Sequence, residues 1–246
     1  MKYKINPQMS DCTALIVDIE ANFEQSQCVL QDARNKIKKV EFNNVSYVVK
    51  SFKKPNLFNS LMYSFLRKSK AKRSYEYSLK IASVVPQAIG YVEFYRTSLL
   101  THSFFVSEWF DYDFTIRKVL LEQDLADRDQ LFKSFAQFSF QLHQLGVLHK
   151  DYSPGNILIK KVAGEYQFKI IDINRMLFKE LSLKERMKNF SMLWASDTDL
   201  AVIAEHYAKV SGDDVSECQQ LSRYYNQKNK RIKNFKKKLK GLPVSD

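Results

Sequence analysis

The stretch from Leu131 to Asp172 constrains this chain more than any other. Leu131–Leu145 carries Phe132, Phe135, Phe138, Leu142 and Leu145 at helical spacing on one broad face, and Gly146 is placed to stop the helix. An irregular loop at 147–156 holds His149, Asp151 and Asn156. Ile157–Ile159 and Phe168–Ile171 then read as two short strands around a turn at Ala163-Gly164-Glu165. Asp151 and Asn156 stand five apart across a Pro154-Gly155 turn, so a carboxylate and an amide oxygen can converge on one cavity. Asp172 follows the apolar pair Ile170-Ile171, and its carboxylate emerges at the strand's end toward the same loop.

Phosphoryl transfer needs what these residues offer: a carboxylate near the attacking hydroxyl, metal ligands for the phosphates, and a cation on the phosphates that stay behind. The cation has a candidate upstream. Cys28–Phe52 is strand-like: Ile37–Phe42 alternates, Asn43-Asn44 tolerates positive φ, and Val45–Lys50 resumes the alternation. That is a β-hairpin delivering Lys50 on its outgoing strand. After Pro55, Leu57 to about Ala82 lacks Gly and Pro and reads as one or two helices, with Tyr75 and Leu79 on an apolar face and Glu76 beside it. Ala88–Phe94 and Phe104–Trp109 read as further strands, and Glu108-Trp109-Phe110-Asp111-Tyr112 as a connector. Residues 13–25 read as a short leading helix, and the sequence beyond Asp172 as mostly helical. The expectation is an α+β chain with a helical segment at 1–26, a small antiparallel sheet with one main helix at 27–108, and a mainly helical part at 109–246.

His149-x-Asp151-x-x-x-x-Asn156, a hairpin, and Asp172-Ile173-Asn174 together resemble the catalytic loop and metal-binding Asp-Phe-Gly of protein kinases. Tyr47-Val-Val-Lys50 resembles the kinase Val-Ala-Ile-Lys strand, and Glu76 its ion-pair partner. More specifically, Lys70–Tyr77, Pro86–Tyr91, Leu142–His149, Asp151–Leu158 and Asp172–Met176 resemble the bacterial lipopolysaccharide kinases, the InaA-like enzymes that phosphorylate Kdo or heptose. The resemblance extends over nearly the whole chain. It implies a bilobal protein-kinase-like fold that uses ATP and magnesium, with manganese as a substitute. In that reading Asp151 is the catalytic base, Asn156 and Asp172 hold the metal, Lys50 clamps the nucleotide phosphates and Glu76 holds Lys50. Glu108 joins the nucleotide-binding set, and His149 braces the loop. His143 reads as a packing or capping residue.

Two departures from the kinase pattern stand out. No glycine precedes Gly90, so the usual Gly-rich phosphate cover is absent and Gln31–Asn35, including Arg34, must serve instead. Asn174 replaces the glycine of Asp-Phe-Gly; asparagine tolerates the left-handed conformation that the turn requires. Ser153 stands where protein kinases usually carry a lysine, and no Ala-Pro-Glu follows Asp172. Both favour a lipid-linked sugar acceptor over a protein. A compact atypical Ser/Thr kinase and a nucleotide-binding pseudokinase scaffold are the alternative readings.

The net charge of +12 is concentrated locally. Residues 228–240 hold eight Lys/Arg and no acid, and residues 67–73 hold five cations. In the tail Ile232, Phe235, Leu239 and Leu242 recur at helical spacing, so about 228–242 reads as a basic amphipathic helix suited to an anionic membrane surface. A nucleic-acid partner is disfavoured, because neither aromatic interleaving nor a recognisable module accompanies the charge. Cys12, Cys28 and Cys218 have neither zinc-site nor disulfide-framework spacing, and no signal or 18-residue apolar run occurs. A cytoplasmic protein is expected, peripheral on the inner leaflet; the oligomeric state is not legible.

Overall fold

The computed structural model describes residues 1–33, 35–53 and 67–243. The chain divides into two compact units, Met1–Phe110 and Asp111–Asp246.

The first unit is built on a six-stranded antiparallel sheet, in the order β1 (Lys2–Ile5), β5 (Ala88–Arg96), β6 (Leu99–Glu108), β4 (Val45–Phe52), β3 (Asn35–Phe42) and β2 (Val29–Asp32). The β3–β4 hairpin turns through Asn43 (φ 50°) and Asn44 (φ 60°), which sets the register Phe42↔Val45 and Ile37↔Lys50. Cross-strand partners share a face. Lys50, its β6 partner Phe105 and Phe105's β5 partner Tyr91 therefore point one way, along with Phe52. That face is covered by α3 (Lys70–Lys80), whose Ala71 and Tyr75 pack with Phe52, Ala88 and Tyr91. Ser69 caps this helix by accepting from the Lys72 backbone N–H. The apolar side of α3 runs through Ala71, Ser74, Tyr75 and Ser78, whereas Leu79, expected on that side, is exposed.

The opposite face holds Val40, Tyr47, Val49, Val92, Phe104 and Val106, packed against Leu15, Ile16, Ile19 and Phe23 of α1 (Thr13–Val17) and α2 (Ile19–Gln25). The single leading helix expected at 13–25 is thus two short helices broken at Asp18. Residues 1–26 are not a separate segment either. They add edge strand β1 and close one face of the sheet, and the buried Lys38 ties them down by donating to the carbonyls of Phe23 and Ser26 at the end of α2.

Gly90 permits this arrangement. A Cβ there would lie 2.6 Å from the Lys4 carbonyl oxygen and 3.0 Å from Ile16 Cδ1. Gly90→Ala is therefore expected to cost about 1–3 kcal/mol of stability, measured as a lowered urea midpoint with an unchanged slope.

In the second unit, α5 (Arg128–Gln144) is the central helix, and Leu131, Phe132, Phe135, Phe138 and Leu142 are buried. Leu145, expected on the same face, is exposed because the helix has already ended: Gly146 turns the chain at φ 69°, where a Cβ would stand 2.9 Å from the Lys179 carbonyl oxygen. The loop expected at 147–156 begins as strand β8 (Val147–His149), paired with β11 (Met176–Phe178). β9 (Ile157–Val162) and β10 (Glu165–Ile170) form the hairpin, and β7 (Phe114–Thr115), just before α4 (Ile116–Leu121), adds to β9. The rest is helical: α6 (Leu183–Phe190), α7 (Asp197–Ser211) and α8 (Val215–Lys238). Most of the basic tail thus forms the C-terminal part of one long helix, which ends at Lys238. Residues 57–66 of the expected helical stretch, and Arg34 of the expected phosphate cover, lie outside the described residues.

Candidate active site

The loop that carries Asp151 is fixed from beneath. His149 is fully buried and accepts the Asp151 backbone N–H at Nδ1 (3.0 Å), so its proton sits on Nε2 and is donated to the Ile171 carbonyl (3.2 Å). One imidazole thus ties the loop to the strand leading to Asp172. Burial pushes its pKa down, which keeps the ring neutral and suits the brace rather than a proton carrier. Tyr152, also fully buried, packs against Phe135 and Phe190 and donates its hydroxyl to Ser139 Oγ (2.8 Å), which in turn donates to the Phe135 carbonyl. With the residues before and after Asp151 pinned, its side chain is held at the surface, one third exposed, with Arg175 Nη1 3.6 Å from Oδ2.

Asn156 closes the loop. Its Nδ2 donates to the Asp151 carbonyl (2.9 Å), its N–H to the Ser153 carbonyl, and its own carbonyl accepts from Ile171 N–H. The amide orientation set by these bonds leaves Oδ1 as the outward acceptor. The Arg117 guanidinium crosses Gly155, with Nη2 3.0 Å from where a Cβ would stand. Asp172 adopts the left-handed conformation at φ 56°, and Asn174 donates Nδ2–H to its Oδ1 (2.6 Å). Sequence reasoning assigned the left-handed turn to Asn174. The structure puts it at Asp172, and Asn174 acts instead by holding the carboxylate that the turn re-aims.

Asn156 and Asp172 offer an amide and a carboxylate oxygen, the donor types that a divalent ion takes beside phosphate and water. Among the described residues no group of three or more His, Cys, Asp or Glu could hold a metal alone. Two protein oxygens suit a metal that arrives with its nucleotide.

In the first unit Lys50 lies on β4 with Nζ 5.5 Å from the Phe52 ring centroid, on the sheet face that α3 covers. Glu76 lies on α3 and accepts from Lys68 Nζ at 2.7 Å, so the basic cluster at 67–73 engages the carboxylate expected to hold Lys50. Glu76 also helps to push the pKa of the Tyr91 hydroxyl up to about 12, after burial and Glu93. The Glu108 carboxylate accepts from Gln87 N–H (2.9 Å), and its backbone N–H donates to the Gln87 carbonyl. Its side chain therefore fixes the start of β5.

A buried polar chain escaped the sequence reading. Arg186 donates to the Tyr207 hydroxyl (3.3 Å), which donates to His143 Nδ1 (2.9 Å). His143 Nε2–H donates to Asn189 Oδ1 (3.2 Å), and Asn189 Nδ2 donates to the His149 carbonyl (2.8 Å). No motif marks Asn189 or Tyr207; their spacing from the loop, about 40 and 60 residues, is set only by folding. Burial pushes the His143 pKa down to about 4. The unfolded chain gains a proton here as pH falls through about 6.5 while the folded chain stays neutral, so this stability is complete above that pH. It is expected to fall by about 3 kcal/mol between pH 6.5 and 4. Urea midpoints measured across that range check it, and His143→Gln should flatten the dependence.

An antiparallel sheet with a packed helix, followed by a mainly helical unit bearing the His149–Asp151–Asn156 loop and Asp172, defines a phosphotransferase of kinase-like fold. The chain belongs to the Lipopolysaccharide kinase (Kdo/WaaP) family, whose pattern matches residues 77–225, more than half its length. It is similar in fold to the solved structure "WaaP in complex with acyl carrier protein", with a TM-score of 0.61, covering 94% of this chain and 99% of that one at 17% identity. No curated protein matches it in sequence. Among the described residues no helix is long and apolar enough to cross a membrane.

Proposed function

We propose that this kinase transfers the γ-phosphoryl group of ATP to a sugar hydroxyl of the lipopolysaccharide inner core, Kdo or heptose on lipid A. Asp151 accepts the hydroxyl proton. The observation that carries this reading is the loop itself: the backbone on both sides of Asp151 is pinned while the carboxylate stays at the surface. A preset carboxylate of this kind is what a reaction driven by positioning needs. Asn156 and Asp172 would hold the magnesium ion, which when bound neutralises charge on the phosphates. Lys50 would hold the phosphates that stay behind, with Glu76 and Glu108 supporting the nucleotide side.

Ile232 and Phe235 on the basic end of α8, and Leu239 and Leu242 just beyond it, are exposed. That apolar strip among cations supports a peripheral place on an anionic inner leaflet, where each engaged Lys or Arg contributes about 1 kcal/mol. The solved WaaP is described with acyl carrier protein; a protein partner of that kind is a further proposal for this chain.

The test is to incubate the purified full chain with labelled ATP, magnesium and Kdo-lipid A. Label should enter the glycolipid. Labelling of a general protein substrate with none in the glycolipid would favour the Ser/Thr kinase reading. Nucleotide binding without transfer to any acceptor would make it a scaffold.

A further inference from the structure

Helix α8 packs against α6 and the turn that follows it, with one pair of its cations turned toward Trp194. Lys233 Nζ stands 4.8 Å and Lys237 Nζ 5.7 Å from the centroid of the Trp194 ring. Both lysines are half-buried, whereas their neighbours Lys236 and Lys238 are exposed. Trp194 has a left-handed backbone at φ 57°, a conformation that bulky residues rarely adopt. The turn is clamped on both sides from α8: Asn229 Nδ2 donates to the Ser191 carbonyl (2.7 Å) and Asn226 Nδ2 to the Ala195 carbonyl (3.1 Å). The same helix therefore supplies the two ammonium groups and fixes the aromatic face that holds them.

Hydrogen bonds tie this stretch of α8 to the catalytic loop: Asn229, one turn before Lys233, donates to the Ser191 carbonyl, and Asn189, two residues before Ser191, donates to the carbonyl of His149. Lys233, whose ammonium burial disfavours, is favoured in its charged form by the Asp151 carboxylate, and Arg175 lies against the same carboxylate. The cation pair thus neighbours the loop that presents Asp151. The loop itself offers no lysine there, since Ser153 occupies that position.

We propose that Lys233 and Lys237, positioned by Trp194, bind an anionic group of the acceptor, a carboxylate or a phosphate, so that the acceptor's hydroxyl meets Asp151. This rests on the kinase reading and adds to it the part of the site that selects a negatively charged sugar. The two lysines then serve recognition in the site itself, distinct from the outward apolar strip of the same helix.

The test compares the full-length protein with its Lys233→Gln and Lys237→Gln variants, using Kdo-lipid A in detergent micelles. Each variant should raise the acceptor KM about tenfold or more, as expected for loss of one charge-assisted contact. The KM for ATP and kcat should stay within about twofold. Lys233→Arg should restore most of the affinity, Trp194→Phe should cost less than Trp194→Leu, and Lys184→Gln on exposed α6 should match the wild type. Esterifying the sugar carboxylate, or removing the lipid phosphates, identifies the anion as the one whose loss erases the difference between wild type and Lys233→Gln. An unchanged acceptor KM, or a rise in the KM for ATP instead, overturns the proposal. Glycolipid binding without ATP, followed by tryptophan fluorescence, separates the two ideas. Binding weakened by Lys233→Gln while the wild type transfers nothing would remove the kinase reading but leave the anion site. Equal binding by the wild type and Lys233→Gln would remove the anion site.

Discussion

Asp151→Asn is expected to lower phosphoryl transfer by about 10³-fold while leaving nucleotide affinity within about twofold. Asparagine keeps the size of the side chain and disturbs neither the Asp151 N–H bond to His149 nor the Asp151 carbonyl that accepts from Asn156, since both are backbone groups. The loop should therefore keep its shape and lose only the group that takes the hydroxyl proton. The measurement is single-turnover transfer to the glycolipid beside nucleotide binding by calorimetry. Transfer within about threefold of the wild type would assign the base elsewhere; loss of nucleotide binding would show that Asp151 acts in the ground state as well.

Asn189→Leu is expected to be the most destabilising single change in the second unit. Asn189 is almost fully buried and joins His143 to the His149 carbonyl. Leucine has a similar volume but leaves an N–H and a C=O buried without partners, each costing about 1–3 kcal/mol. A loss of about 2–5 kcal/mol in urea unfolding is the expected result. Because His149 in turn holds the Asp151 N–H, transfer should fall about tenfold or more even where the variant is fully folded. A stability loss below about 0.5 kcal/mol would mean that water replaces both bonds, and the network would then carry no load from α6 to the loop.

The two predictions differ in how far the sequence alone could reach. The form of the loop around Asp151 was legible because the turn at Pro154-Gly155 and the amide of Asn156 lie within six residues of it. The β3–β4 hairpin was legible for the same reason, since Asn43-Asn44 carries the positive φ that the turn demands. The β5–β6 turn was not, because Thr97 and Ser98 take positive φ without a residue type that announces it, and strand β6 begins five residues before Phe104. Glu76 shows the limit of pattern in another way. Its place on α3 follows from helical sequence, but its bond to Lys68 depends on where the basic cluster folds.

The sequence by itself determined the class of chemistry and the helical and extended character around Lys50, Glu76, Asp151, Asn156 and Asp172, the residues proposed to carry it. Periodicity and turn residues are local signals, and these elements obey them. Tertiary structure alone decided that residues 1–26 complete the first sheet, that Asp172 rather than Asn174 takes the left-handed turn, and that a chain from Arg186 to His149 holds the loop. It also turned two cations of the basic tail toward Trp194. Each depends on satisfying buried polar groups or pairing charges between segments far apart in sequence, and no local pattern records which distant partner will arrive.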